Sequence, residues 1–114
     1  MMAKTIEIRE IPGKWVVRAG GAVLGETNRA LELTEGDLRP VIYFPRADLA
    51  MAMLEPTATR TTCPHKGAAS YFSIHTKSTV IDDAGWSYEA PHDAVAAIAD
   101  HIAFSPDKVT IEEL

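Results

Sequence analysis

The sequence has little cysteine, little positive charge and no long apolar run, and each shortage excludes a class of protein. One cysteine in 114 residues cannot form an internal disulfide or build a cysteine-rich zinc site. Eleven Lys and Arg against sixteen Asp and Glu give a net charge of −5, which argues against broad binding to nucleic acid. No apolar run approaches the roughly 20 residues of a membrane-spanning helix, so we expect no membrane partner.

What is present is an ordinary globular composition. Hydrophobic residues make up 46% of the chain and charged residues 24%, values typical of folded domains. This length suits one domain, so we predict a single domain over residues 1–114 that needs no disulfide or metal to fold. The first ten residues carry mixed charges and no apolar signal core, which favours a cytoplasmic location. The oligomeric state stays open.

Alternation of apolar and polar side chains predicts a mainly β fold. Alternation is clear in 6–9, 30–34, 69–76 and 109–112, and the segments predicted as strands are 6–9, 15–19, 22–26, 30–34, 41–44, 69–76, 79–81, 86–88 and 109–112. Gly20-Gly21 lies between two of them and favours a tight hairpin. About eight strands with a packed helix predict a mainly β, α+β domain, either a compact antiparallel sheet or a curled, barrel-like one.

Two helices are expected beside the sheet. Asp48 is a candidate N-cap for a short central helix that Pro56 prevents from continuing. A longer amphipathic helix is predicted in the C-terminal third, where apolar residues follow the i, i+3, i+4, i+7 pattern. They are Val95, Ile98, Ala99 and Ile102. Residues 57–67 are polar and are predicted to be irregular.

The densest candidate chemistry lies in the run Thr61-Thr62-Cys63-Pro64-His65-Lys66-Gly67. An ammonium near a thiol favours the reactive thiolate, so Cys63 is a candidate catalytic nucleophile; the alternative is a small buried residue. Lys66 beside Gly67 also suits anion binding, because a positive charge stands next to a backbone that a ligand can approach closely. Arg29 is a candidate second cation; the alternative is a solvated turn residue.

The aromatic residues indicate where a pocket would lie. Tyr43, Tyr71, Trp86 and Tyr88 all occur in strand-like segments. Alternation turns Tyr43 and Tyr71 away from the face that their neighbouring phenylalanines fill. If the sheet curls, these rings converge on one pocket with an apolar body and polar tips. The alternative is a second small core.

Metal and cofactor chemistry have less support in the sequence. Cys63 and His65 form only a C-x-H pair, and we predict no metal site. Asp82-Asp83 could bind a hard cation, although an adjacent acid pair also suits an ordinary turn. Neither the phosphate-binding G-x-x-x-x-G-K-[ST] signature nor the G-x-S-x-G elbow occurs, and no cofactor is expected.

Six segments together resemble a bacterial domain-of-unknown-function family that carries a nucleotidyltransferase-type label. They are residues 26–30, 43–48, 54–57, 61–67, 84–88 and 103–109. The most specific parts are the Cys-Pro-x-Lys-Gly run at 63–67 and the Trp-x-Tyr at 86–88. The resemblance implies a compact, mainly β single domain and no established activity.

Three functional hypotheses follow from these residues. The first is a domain that binds a small anionic molecule in an aromatic-lined pocket, with Lys66 and Arg29 fixing the anionic group. The second is an enzyme that uses Cys63 as a nucleophile, or Asp82 and Asp83 as metal ligands for nucleotidyl transfer. The third is a protein-interaction module that offers an exposed sheet edge.

Overall fold

The computed structural model describes residues 5–114, so the first four residues of the predicted single domain lie outside the described residues. Ten strands and three short 3₁₀ segments are found within this range. The strands are β1 (Ile6–Glu10), β2 (Trp15–Ala19), β3 (Ala22–Thr27), β4 (Leu31–Glu35), β5 (Val41–Pro45), β6 (Leu54–Cys63), β7 (Gly67–His75), β8 (Val80–Ser87), β9 (His101–Phe104) and β10 (Thr110–Glu113). The 3₁₀ segments are Arg46–Asp48, Met51–Met53 and Asp93–Ile98.

The strands form two antiparallel sheets, which confirms the mainly β prediction. The larger sheet has seven strands in the order β1-β4-β5-β9-β8-β7-β6, and the smaller has the order β10-β2-β3. The predicted Gly20-Gly21 hairpin is present between β2 and β3. Both end strands of the larger sheet, β1 and β6, remain edges, so the barrel-like alternative is wrong.

Each face of the larger sheet carries its own hydrophobic core. One core joins the two sheets and contains Phe44, Phe72 and Phe104 together with Val17 and Leu24 of the smaller sheet. The opposite face carries a second core. Its buried members are Leu31, Leu33, Tyr43, Ala69, Tyr88, Val95, Ile98 and Ala103. Tyr43 therefore lies on the face opposite Phe44, as the alternation of side chains along a strand predicts.

Both helix predictions need correction. The central helix is replaced by two 3₁₀ turns, Arg46–Asp48 and Met51–Met53. The C-terminal helix is the short 3₁₀ segment Asp93–Ile98, which covers the second core with Val95 and Ile98. Ile102 lies instead in β9, which runs between β5 and β8, and it is paired with Phe44 of β5. Strand pairing at a buried position overrides the local helical pattern.

The prediction that residues 57–67 are irregular is also wrong. Leu54–Cys63 form β6, which pairs with β7 as a hairpin at the edge of the larger sheet. The threonines and Arg60 of β6 are mostly exposed, which suits an edge strand because its side chains remain in contact with solvent. Pro56 fits there because the register shifts between Pro56 and Arg60, and an edge strand tolerates a missing donor.

Candidate functional site

A row of side chains across four strands forms the floor of the candidate site. The strand register aligns Tyr43 with Ala103, Ala103 with Trp86, and Trp86 with Tyr71. Residues opposite each other on adjacent antiparallel strands point to the same face, so these four side chains share one face of the sheet. Ala103 is small and fully buried, which leaves room between the larger rings on either side.

A pocket of about 420 Å³ opens above this row. We call it the tyrosine pocket. Its lining residues are Leu33, Glu35, Leu38, Arg39, Val41, Tyr43, Lys66, Tyr71, Asp83, Trp86, Tyr88, Ser105 and Lys108. Five of the eight residues that the sequence singled out lie on its wall, namely Tyr43, Lys66, Tyr71, Trp86 and Tyr88. The structure therefore brings together the aromatic residues and the lysine, which come from three separate parts of the chain.

Lys66 is held at the pocket by an ion pair that crosses the larger sheet. Its Nζ donates a hydrogen bond of 2.9 Å to Oε1 of Glu35 at the end of β4. The side chains of Lys66 and Glu35 are only 13% and 12% exposed, so this pair is largely, though not fully, buried. Lys66 Nζ also lies 6.0 Å from the centre of the Tyr88 ring, within cation–π range. The turn between β6 and β7 is thereby tied to the strand second from the opposite edge.

Burial and pairing shift the acidities of three groups at the pocket. Burial tends to lower the pKa of the Lys66 ammonium, but its hydrogen bonds to Glu35 and Cys63 outweigh this and raise the pKa overall. Burial raises the pKa of Tyr43 to about 12, against a hydrogen bond from the Trp86 indole that acts to lower it. Burial also raises the pKa of the Tyr88 phenol. The pocket therefore presents a charged lysine and neutral phenols at neutral pH.

The open side of the pocket is polar. Tyr71 shares a 3.0 Å hydrogen bond with the Thr61 hydroxyl, and its ring centre lies 6.5 Å from that of Trp86. The Asp83 carboxylate accepts two hydrogen bonds of 2.7 Å from the hydroxyls of Thr57 and Thr59, which hold its pKa below the usual range. An anion in the pocket would therefore meet a carboxylate whose oxygens already have donors.

Two further cations line the pocket. Lys108 Nζ donates a 2.8 Å hydrogen bond to the Asp82 carbonyl oxygen. Arg39 is exposed on the turn between β4 and β5, and among the described residues its side chain takes part in no ion pair or hydrogen bond. With Lys66, the pocket carries three cations against the two carboxylates Glu35 and Asp83. Its formal charge is positive, although that of the whole chain is −5.

Three sequence candidates do not line the tyrosine pocket. Cys63 is half-buried at the end of β6, against the second core, and its side chain is one of the groups that raise the pKa of Lys66. Gly67 has a φ of +114°, and a Cβ there would lie 3.4 Å from the Ala90 carbonyl oxygen. This positive φ suits a glycine at the turn between β6 and β7. The ligand contact expected of Gly67 stays a prediction. Arg29 lies elsewhere, where Nη2 pairs with Asp48 at 3.2 Å.

Arg29 belongs to a second basic depression on the molecule, which we call the arginine groove. The groove is lined by Ile8, Arg9, Glu10, Arg29, Leu31, Pro45, Arg46, Ala47, Ala97, Asp100 and His101. Each of its arginines has a carboxylate partner: Arg9 pairs with Glu32, Arg29 with Asp48, and Arg46 with Glu89 and Asp100. The groove therefore offers no unpaired arginine among the described residues, whereas the tyrosine pocket offers Arg39 beside the paired Lys66.

Sequence reasoning missed Glu35 and Arg39, although the period of the strands contains a signal for both. Counting back from Tyr43 in steps of two reaches Val41 and then Arg39, and Val41 pairs with Leu33 on β4. One further step of two along β4 from Leu33 gives Glu35. For Asp83 and Lys108, no local pattern in the sequence indicates a place at the pocket.

The Asp82-Asp83 pair lies within β8. Asp82 is exposed, and Asp83 has a φ of +47° where the register between β7 and β8 shifts. Within residues 5–114, no three His, Cys, Asp or Glu side chains are grouped closely enough to hold a metal ion. In the same range, no helix has the length and apolar content needed to cross a bilayer.

Comparison with known proteins identifies a family without assigning an activity. No curated protein matches the chain. The profile of one family, described as a domain of unknown function (DUF427) and labelled as a nucleotidyltransferase type, matches residues 7–113. The match includes every residue of the tyrosine pocket and nearly the whole described chain. The chain therefore belongs to the DUF427 family of domains of unknown function, as the resemblance of its motifs implied.

Proposed function

We propose that the tyrosine pocket binds a small anionic molecule. The observation that carries this proposal is the convergence of Lys66, Arg39 and Lys108 on a pocket with a floor of Tyr43, Trp86 and Tyr71. Ligand sites typically combine an apolar, aromatic body with a few placed polar groups, and this pocket has that composition. Its volume of about 420 Å³ suits a small metabolite.

Lys66 and Arg39 would contribute to anion binding in different ways. Lys66 is buried and already aligned by Glu35, so its position costs little conformational entropy when a ligand arrives. Charge–charge interactions at such a site are stronger than at an exposed one because less water screens them. Arg39 is exposed and has no protein partner among the described residues, so its guanidinium is the group most free to pair with a carboxylate or phosphate.

A metabolite screen followed by titration of the recovered anions tests the proposal. We expect Lys66→Ala and Trp86→Ala each to weaken binding about tenfold or more, because each removes a charged hydrogen bond or a stacking face. Arg39→Ala is the variant least able to disturb folding, since its side chain is exposed. Lys77→Ala, a change at an exposed lysine outside the tyrosine pocket, is the matched control. Unchanged affinity in all three pocket variants would refute the proposal.

One observation favours an enzymatic alternative that uses Cys63. Cys63 packs against the second core and contributes to the raised pKa of Lys66, and a neighbouring cation is typical of reactive cysteines. On this hypothesis Lys66→Met slows alkylation of Cys63 by iodoacetamide at neutral pH, and Lys77→Met does not. Equal rates in the two variants and the wild type would remove the alternative. The transferase activity suggested by the family label stays a prediction.

A further inference from the structure

A second pocket borders the tyrosine pocket and is almost entirely apolar. We call it the apolar pocket; its volume is about 380 Å³. Its lining residues are Trp15, Arg39, Pro40, Val41, Ile42, Trp86, Phe104, Pro106 and Ile111. Three of these, Arg39, Val41 and Trp86, also line the tyrosine pocket. The two pockets are therefore neighbours with a common wall.

The shortness of β9 explains why the pockets meet. The ladder between β5 and β9 joins Pro45 to His101 and ends where Tyr43 pairs with Ala103, so it does not reach Val41 or Ile42. After Phe104 the chain leaves the sheet towards Pro106. The sheet is thus incomplete beside the start of β5. At this place, Val41 packs with the second core and Ile42 with the first, so the tyrosine pocket and the apolar pocket lie on opposite faces of the sheet beside this gap.

The wall of the apolar pocket includes side chains that pack against the first core but are only half-buried. Trp15, Ile42 and Ile111 pack against that core and still face the pocket. Arg39 stands on the wall shared with the tyrosine pocket, and within residues 5–114 it is the only charged residue that lines the apolar pocket. Each pocket alone is near the lower limit of the volumes that hold small ligands, about 300 Å³, and the pair together is well within the range.

Building on the proposed function, we propose that the natural ligand is amphiphilic. Its anionic group binds at Lys66 and Arg39, and its apolar chain or ring passes Trp86 into the apolar pocket. The charge of Arg39 at the border fixes which end enters which pocket, because an anion in the apolar pocket would lose water without gaining a second cation. Burial of the apolar part removes both ligand and protein surface from water, which adds affinity for each buried methylene.

A series of straight-chain carboxylates tests this inference. Acetate, butyrate, hexanoate and octanoate are titrated into the wild-type protein. We expect the dissociation constant to fall about fourfold for each added methylene that enters the apolar pocket, the value that corresponds to about 0.8 kcal/mol per buried methylene. Ile111→Ser should flatten this dependence on chain length. The control Val23→Ser alters an exposed apolar residue of the smaller sheet that lines neither pocket.

The two tryptophans of the chain provide a readout that needs no variant. Trp86 lies on the common wall, so its indole N–H signal responds to a ligand in either pocket; Trp15 lines the apolar pocket and not the tyrosine pocket, so its signal reports the apolar pocket. We expect butyrate to move the Trp86 signal and octanoate to move both signals.

Each contrary outcome has a distinct meaning. If anions bind but chain length changes neither the affinity nor the Trp15 signal, the inference is wrong and the proposed function stands. If octanoate binds equally well to Lys66→Ala, the chain binds without its anionic group and the inference is again wrong. If no anion binds at either pocket, the proposed function fails and the inference fails with it.

Discussion

At the scale of single residues, Lys66 is the side chain around which the site is arranged. The sequence indicated its importance through the neighbouring Cys63 and Gly67, but not its partner, because Glu35 lies 31 residues earlier in the chain. A long-range pair of this kind leaves no local pattern. The same limit applies to Arg29, whose type and position suited an anion site. In the folded chain its guanidinium forms an ion pair with Asp48.

Replacement of Lys66 by methionine should destabilise the protein. The change removes the ion pair and hydrogen bond between Lys66 and the largely buried Glu35 carboxylate, and loss of a hydrogen bond to a charged group typically costs about 1.5–3 kcal/mol. The double variant Lys66→Met/Glu35→Gln should recover part of this loss, because the buried charge is then removed as well. Urea unfolding measures both effects, with Lys77→Met as the control. A loss below about 0.5 kcal/mol would contradict the account of the pair.

Tyr43 should make the protein sensitive to alkaline pH. Its pKa is raised to about 12 in the folded chain, while the pKa of a tyrosine in the unfolded chain is about 10. Between these values the unfolded state binds fewer protons than the folded state, so stability is present below about pH 10 and is lost as the pH rises. The raised pKa of Lys66 acts in the same direction.

Comparison of the wild type with Tyr43→Phe isolates the contribution of this phenol. From about pH 9 to 11 the wild type should lose about 1 kcal/mol more unfolding free energy than the variant. Denaturant unfolding at several pH values gives this difference, since Lys66 is present in both proteins. Parallel pH profiles would show that the Tyr43 phenol ionises normally.

At the scale of elements, strands with regular alternation were predicted well, and helices were not. The segments of β1 and β4 alternate clearly, and Gly or Pro follows or ends β2, β4 and β5, so these local signals agree with the fold. The apolar residues Val95, Ile98 and Ile102 have helical spacing, yet the chain ends its 3₁₀ segment at Ile98 and turns at Asp100 with a φ of +64°. This turn lets β9 enter the middle of the larger sheet, where its pairing with β5 and β8 decides the structure.

The contact between β3 and the turn after β5 gives an element-scale prediction. Gly25 of β3 forms a bridge with Leu49, and a Cβ at Gly25 would lie only 2.4 Å from the backbone oxygen of Asp48. Gly25→Ala should therefore push the smaller sheet away from this turn and destabilise the protein by about 2–3 kcal/mol. Val23→Ala, at an exposed position of the same strand, should change stability by no more than about 0.5 kcal/mol. Equal effects of the two changes on thermal or urea unfolding would contradict this close approach.

At the scale of the whole molecule, the division into two sheets could not be predicted from the sequence. The hairpin of β2 and β3 has a local signal in Gly20-Gly21, but its third strand, β10, comes from the far end of the chain. The local signals of the first five strands therefore give no indication that β2 and β3 belong to a different sheet from β1, β4 and β5. The sequence allowed the prediction that the aromatic residues converge if the sheet curls, because alternation places Tyr43 and Tyr71 on the face opposite their neighbouring phenylalanines. Only the register through Ala103 brings Tyr43 to the same row as Trp86.

The most direct test of the central claim is to map where small anions bind. Backbone and indole ¹H–¹⁵N signals are recorded while each anion recovered by the metabolite screen is added to the full chain. The account predicts that the largest shifts fall on Lys66, Arg39 and the Trp86 indole, around the tyrosine pocket. Shifts centred on Arg9, Arg29 and Arg46 in the arginine groove, with the Trp86 indole unmoved, would contradict it.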